Sequence, residues 1–365
     1  MARRHTVRTP LVFLVGAIAV LGIAGTAGQS PQAIVASEFV FEAAPFASAH
    51  ASTIVSTKDG LVAAWFGGSR EGAPDVGIWS SRQVDGQWTP PLEIATGVQA
   101  DGTRQPCWNP VLFELPDDSL ALFYKVGPRP SSWWGMVQSS RDRGRTWDQA
   151  RRLPEGVLGP IKNKPVRLDD RTIVSGSSTE SPDARSAWRV HFERSLDGGQ
   201  SWTIVRPPAG DGSPIDAIQP SILVHPGEKL QAVGRTRSQR IFETWSDDRG
   251  RTWSPLALTM LPNPNAGIDA VTLRGGRHLI VYNHTTQGRS PLNVAVSRDG
   301  RKWEAALVLE SGPGEYSYPA VIQSPDGIVH VTYTWKRQRI KHAVLDPKRL
   351  QAVPMPDGMW PPSSK

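Results

Sequence analysis

The stretch "SLDGGQSWT", residues 195–203, sets a serine, an aspartate, two glycines and a tryptophan at fixed offsets. Close variants recur along the chain: Ser140-Arg-Asp142-Arg-Gly144-Arg-Thr146-Trp147, Ser246-Asp-Asp248-Arg-Gly250-Arg-Thr252-Trp253, and a shortened Ser297-Arg-Asp299-Gly-Arg-Lys-Trp303. A decayed copy, "SSRQVDGQW", ends at Trp88. The serines of the four clear copies stand 55, 51 and 51 residues apart, a period that belongs to a repeat architecture. Each copy reads as a hairpin turn. The Asp carboxylate accepts backbone N–H groups within the turn, Gly takes a backbone angle that a Cβ disfavours, and Trp packs back between neighbouring sheets. The knot is thus a structural staple rather than chemistry.

A second repeat sets the number of units. Before each knot comes a short apolar strand introduced by a polar residue: "HASTIV", "NPVLF", "KPVRL", "QPSIL", "DAVTL" and "YPAVI". Their first residues, His50, Asn109, Lys164, Gln219, Asp269 and Tyr318, are spaced by 59, 55, 55, 50 and 49. Pro is tolerated at a strand's first residue, where its missing N–H breaks no ladder. Six such strands predict an all-β, six-bladed β-propeller over residues 30–350, with 351–365 as a C-terminal tail. The strand "IVASEFVFE", residues 34–42, is expected to pair near "RIKHAVL" and close the ring. The six leading residues are then expected to ring one mouth of the channel, where they offer hydrogen bonds to a polyhydroxylated ligand.

Composition agrees with short strands. The chain has 365 residues, 39% of them apolar, with 34 Gly, 32 Pro and 14 Trp, and no stretch keeps a 3.6-residue apolar period. Residues 1–29 place Arg3, Arg4 and Arg8 before an apolar run from Leu11 that ends in small residues at Gly25–Gly28. This reads as an export signal cleaved near "AGTAGQS", or as a retained membrane anchor, and either puts the folded part outside the cytoplasm. The single cysteine, Cys107, excludes an internal disulfide. Without those three arginines the formal charge falls from +7 to +4, with no basic run, so nucleic acid is not an expected partner. No His/Cys spacing or acidic calcium loop calls for a metal, and no cofactor is expected.

Two further groups of residues carry candidate chemistry. The blade 1 segment "AAWFGGSREGAPDVGIW" forms a loop with Arg70, Glu71 and Asp75, where an acid raised by burial would protonate a leaving oxygen. "VGRTRSQR" and "VYNHTTQGRSPLNVAVS" carry Arg237 and Arg289, whose planar forks match a carboxylate. Lys162, Glu180, His284, Trp108, Trp133 and Trp134 also look ligand-directed, although core packing is the better reading for most tryptophans.

The repeated knot resembles the Asp-box, or bacterial neuraminidase repeat, of the sialidase superfamily. That resemblance implies a glycan substrate and an exo-glycosidase that removes a terminal, acidic sugar. It implies an arginine triad for the substrate carboxylate, with Arg237 and Arg289 as its second and third members. It further implies an acid at Glu71 or Asp75 and a tyrosine nucleophile at Tyr318 in "EYSYPAV". Two positions depart from the family pattern. His50 stands where the first triad arginine is found, and Gln219 where the glutamate that assists the tyrosine is found. A neutral amide cannot take a phenol's proton, so Asp216, Asp269 and Glu315 are candidate bases, and His50 opens acid–base chemistry near neutrality. A lyase or a hydrolase of another sugar using His50 with Tyr318, and a glycan-binding propeller without activity, are the alternatives.

Overall fold

The computed structural model describes residues 33–183 and 186–362. The proposed signal or anchor lies outside them. Six antiparallel sheets follow one another along the chain, and among the described residues there is no α-helix. Blade 4 shows the plan: Ala217–Val224, Leu230–Thr236, Arg240–Ser246 and Ala257–Pro262 pair in that order. The first strands, which lie innermost, form a closed ring, since that of blade 1 (Ser48–Thr57) packs against those of blade 2 (Cys107–Glu114) and blade 6 (Tyr316–Gln323). The chain is therefore a six-bladed β-propeller.

Its two ends close as the sequence predicts. Ile34–Phe39 pairs antiparallel with Arg339–Leu345 and supplies the outer strand of blade 6. The residues past 350, read from sequence as a tail, contribute more than that: Val353–Pro354 pairs with Glu304 and Ala305 as a fifth strand of blade 5. Met355 is buried beyond it, among Leu261, Tyr282 and Trp303.

The knots are staples. Asp197 Oδ1 accepts the Gln200 and Ser201 amides at 3.1 and 2.9 Å, Ser201 Oγ donates to Oδ2, and Ser195 Oγ accepts the Gly199 amide at 2.8 Å. Asp142 and Asp248 likewise accept the amide and hydroxyl of Thr146 and Thr252, and Asp299 in the shortened copy accepts the Arg301 and Lys302 amides. Each tryptophan packs on the preceding blade: Trp253 stacks on Phe192 at 3.6 Å and Trp202 meets Phe123 edge-on at 6.2 Å. Gly250, at φ +79°, is required twice over, because a Cβ there would also press on Val174 of blade 3 at 3.1 Å.

One feature of the inner strands places the site. In blades 1, 2, 4 and 6 a bulge sets two inner-strand residues against one on the neighbouring strand, as between Ile218↔Arg235 and Ser221↔Val233. The first bulged residue is Ala51, Asn109, Gln219 and Tyr318, all with positive φ (57°, 39°, 59° and 51°). A bulky residue rarely holds such a backbone unless its surroundings impose it, and here it re-aims the side chain at the mouth.

Histidines packed within and between the blades make stability depend on acid. His278 meets His225 at 3.2 Å and His330 meets His342 at 3.0 Å. Burial, helped by the neighbouring imidazole, pushes His278 and His330 down to about 4. An unfolded histidine titrates near 6.5. Between those values the unfolded chain binds more protons than the folded one, so stability rises with pH there. The thermal midpoint is expected to be level above about pH 6.5 and to fall steadily toward pH 4. A midpoint unchanged from pH 7.5 to pH 5 would contradict the assignment.

Candidate active site at the mouth

Asn109, Gln219 and Tyr318 share the bulge position, as their X-Pro signature implied. The other three leading residues do not. In blade 1 the position belongs to Ala51, with His50 one residue before it, and in blade 3 Lys162 (φ +73°) holds it in place of Lys164. Asp269 lies deeper: its Oδ2 accepts the Val321 amide at 2.8 Å, just as Ser221 Oγ accepts that of Ala270 at 2.9 Å, so Asp269 aligns with Ser221 and Ala320, two past the bulge. Blade 1 has no proline at its bulge, and in blades 3 and 5 the strand opening and the bulge are separated. Alignment on the strand opening therefore fails in those three.

Lys164 and Asp269 close the axis rather than line a mouth. Lys164 Nζ donates to both Asp269 oxygens, at 2.9 and 3.1 Å. Lys162 Nζ reaches Asn163 Oδ1 at 2.8 Å, the Ile268 carbonyl at 2.7 Å and the Pro319 carbonyl. Blade 3 thus meets blades 5 and 6 across the ring. Three oxygens satisfy a buried ammonium, although burial pushes Lys162 down to about 7.

Above this plug stands Tyr318. Its phenol oxygen accepts Arg235 Nη1 at 2.6 Å, and no carboxylate touches it among the described residues. The Arg235 and Arg289 guanidinium carbons lie 5.6 and 5.5 Å from the phenol ring centre. Arg235 is 8% exposed, and its Nε has no partner. It forms no ion pair among the described residues. Arg289 pairs with Glu315 at 2.6 Å, and Arg337 Nε meets both oxygens of Glu315 at 3.0 Å. Burial works to raise the Glu315 carboxyl, but Arg289 and Arg337 outweigh it and hold it below its ordinary value. Glu315 is therefore ionised and doubly paired.

The remaining candidates divide clearly. Arg237, read as the second arginine, does not reach Tyr318: it lies 4.1 Å over the Trp188 ring and pairs with Asp216 at 3.4 Å. Arg235, two residues earlier, takes that place. A spacing signal for it exists, since the residue 16 positions after each X-Pro bulge residue is the last but one of the second strand, beside the bulge: Lys125, Arg235 and Thr334. Glu71 pairs with Arg337 at the rim. Asp75 is exposed and binds Ser69 N and Oγ at 2.8 Å; desolvation opposes the shift, but those bonds hold its carboxyl below the ordinary value, which suits an anion better than an acid. Arg70 is exposed on the same loop. Glu180 accepts Trp188 Nε1 at 3.1 Å and is raised by burial. Trp108 and Trp133 meet edge-on at 6.0 Å beside Phe66, whereas Trp134 packs beneath Arg152.

His50 does not fit the part of acid or base. Its ring lies 4.2 Å from that of Tyr318, and burial, with the charges of Arg337, Arg289, Arg235 and Lys162, holds it well below 6.5. Thr334 Oγ1 accepts the Ala51 amide and lies 2.9 Å from His50 Nδ1, while His50 Nε2 is closed off and has no partner among the described residues. His50 is a neutral wall behind Tyr318. His284 likewise faces inward: its Nε2 accepts the Trp360 amide at 3.2 Å, which leaves the Nδ1 proton for Tyr282 Oη at 2.6 Å.

Residues 59–331 match the family model described as BNR repeat-like domain. No curated protein matches the chain. Among solved structures, an unknown function protein from Dyadobacter fermentans superposes with a TM-score of 0.71 at 18% identity, covering 86% of this chain and 98% of that one. A Hadza microbial sialidase gives 0.70 at 19%, over 83% of this chain and 66% of that one. The intramolecular trans-sialidase from Ruminococcus gnavus gives 0.68 at 15%, over 88% and 99%. At these identities the likeness is one of fold.

Proposed function

The chain belongs to the BNR repeat-like domain family, and from that membership we propose that it cleaves a terminal acidic sugar from a glycan held at the mouth, with Tyr318 as nucleophile. Arg235 carries the reading. A guanidinium this deeply buried is ordinarily paired, and this one lies over the Trp188 ring with Glu180 near enough to feel its charge, yet it makes no ion pair among the described residues and its only side-chain hydrogen bond there is to a phenol oxygen. A carboxylate bridging Arg235 and Arg289 supplies the missing anion. Two of the similar solved structures are named as sialidases, and sialic acid is a terminal sugar that bears such a carboxylate.

In this scheme the Tyr318 phenol gives its proton to solvent at the mouth, its oxygen, held by Arg235, attacks the anomeric carbon and the bond to the leaving oxygen breaks. The leaving oxygen takes its proton from water, since Glu71 is ion-paired with Arg337, and a second water then releases the sugar from the tyrosine. The sugar carboxylate fixes the orientation. A second reading, glycan binding without cleavage, is favoured by one observation: among the described residues Tyr318 has a guanidinium and no carboxylate at its oxygen.

A set of chromogenic glycosides separates the two. Release from a sialoside or a uronide, with none from neutral sugars, supports cleavage. Binding of the acidic sugars without release selects the second reading, and neither binding nor release removes both.

A further inference from the structure

We propose that the knot-bearing end of blades 5 and 6 rests on an anionic lipid surface, tethered by an uncleaved N-terminal segment, with the mouth facing away from the membrane. The antiparallel plan puts the knots and the first turns of all blades at one end and the arginine-bearing loops at the other. The described chain begins at the knot end. Ile34 pairs with Leu345, the last residue of the third strand of blade 6, and the Ala33 carbonyl accepts the Asp346 amide at 2.9 Å. Ala33 is packed among Leu273, Leu345 and Leu350, at the junction of blades 5 and 6.

Around that exit stand exposed cations that form no ion pair among the described residues: Arg274, Arg298, Arg301, Lys302 and Lys348. The Arg274 guanidinium donates to the Pro325 and Ser324 carbonyls of blade 6, and Arg277 reaches the Pro347 carbonyl at 2.6 Å, which brings the two blades' cations together. Asp299 accepts the amides of Arg301 and Lys302, Asp326 the Ser324 hydroxyl and the Ile328 amide, and Asp346 the Lys348 amide and Arg349, while Glu304 and Asp357 lie beside Arg298, Arg301 and Lys302. With Arg277 and Arg349 included, seven cations stand among these five acids, and the surface is net positive.

The sequence outside the structure points to the occupant. Leu11–Gly28 is a stretch of 18 uncharged residues behind Arg3, Arg4 and Arg8. From Gly28 to Ala33 the chain extends at most about 18 Å. If Leu11–Gly28 is held in a bilayer, the patch is kept close to the headgroups, where each cation adds to attraction by acidic lipid over a screening length of about 10 Å. The site loops lie at the far ends of the same strands, so glycans on the outer side meet the mouth.

The test uses the full chain. Expressed in an exporting bacterial host and recovered from membranes, it is expected to retain residues 1–28 by intact mass. In nanodiscs of phosphatidylcholine with or without phosphatidylglycerol, Lys302 and Lys348 are expected to lose reactivity toward an amine-acylating reagent severalfold only where the acidic lipid is present. Lys336, beside Arg337 on the mouth loop, serves as the control and stays reactive. The variant R298E/R301E, with an unchanged thermal midpoint, is expected to lose that protection. Loss of residues 1–28 with the protein in the soluble fraction overturns the proposal. So does equal reactivity in the two lipids, or protection by a soluble sulfated polysaccharide in place of the lipid.

Discussion

Replacing Tyr318 by phenylalanine is expected to lower turnover of an acidic glycoside by roughly 10³- to 10⁵-fold while its affinity stays within about tenfold. The substitution removes the one oxygen that forms the covalent bond. It leaves the ring that packs 4.2 Å from His50 and the bulge that aims it. Arg235 loses its 2.6 Å acceptor but keeps its fork free for the substrate carboxylate, so binding survives. Single-turnover kinetics beside equilibrium titration separates the two quantities. Equal loss in both would mean that Tyr318 holds the ligand without reacting. The companion change Gln219→Glu restores a carboxylate near the phenol, and Lys162 lies near enough to Gln219 to receive it: a Cβ built on Gly267 would meet Lys162 Cε at 3.1 Å and Gln219 Oε1 at 3.3 Å. Turnover is expected to rise in that variant.

The largest loss of stability is expected from Asp269→Ala. Asp269 is 1% exposed, and its carboxylate accepts Lys164, Ser221 Oγ at 2.7 Å, its neighbour's amide at 2.9 Å and the Val321 amide at 2.8 Å. One side chain thus joins blades 3, 4, 5 and 6 at the axis. Its removal leaves Lys164 without its counter-charge, held only by the Ala270 carbonyl, and the Val321 N–H without its acceptor, a change that typically costs about 3–5 kcal/mol. The thermal midpoint is expected to fall by on the order of 10 °C. A loss below about 1 kcal/mol would show that the axis tolerates an unpaired Lys164.

Much of the fold was legible because its signals are local and repeated. Ser195, Asp197, Gly199 and Trp202 each satisfy a demand of one turn, and the turn recurs at intervals of 51 to 55 residues, which marks the repeat, while the blade count follows from the six strand openings. The closing strand was legible as an apolar segment with no partner near it in sequence. The site was legible only where a local signal marks the bulge. Asn109, Gln219 and Tyr318 are each followed by proline, whereas Ala51 and Lys162 are not, and the displaced Lys164 and Asp269 turned out to pair with each other across the axis. Arg235 and Arg237 both lie where a strand gives way to a loop, and the 16-residue interval from Gln219 singles out Arg235 only once the ladder register against Ile218 has fixed the bulge. The pairing of Glu315 with Arg289 and Arg337, and of Glu71 with Arg337, joins segments up to 266 residues apart and has no sequence signature.

The central claim is that the mouth is built for a carboxylate on a sugar. Calorimetric titration of the full chain with an N-acetylneuraminic acid glycoside and with the same glycoside reduced to its alcohol at the carboxyl carbon tests it most directly. A charged, bidentate contact is worth roughly 2–3 kcal/mol, so the carboxylate form is predicted to bind about 30- to 160-fold more tightly, and the difference is predicted to shrink at least tenfold in Arg235→Met. Equal affinities for the two forms in the unaltered protein would contradict the account.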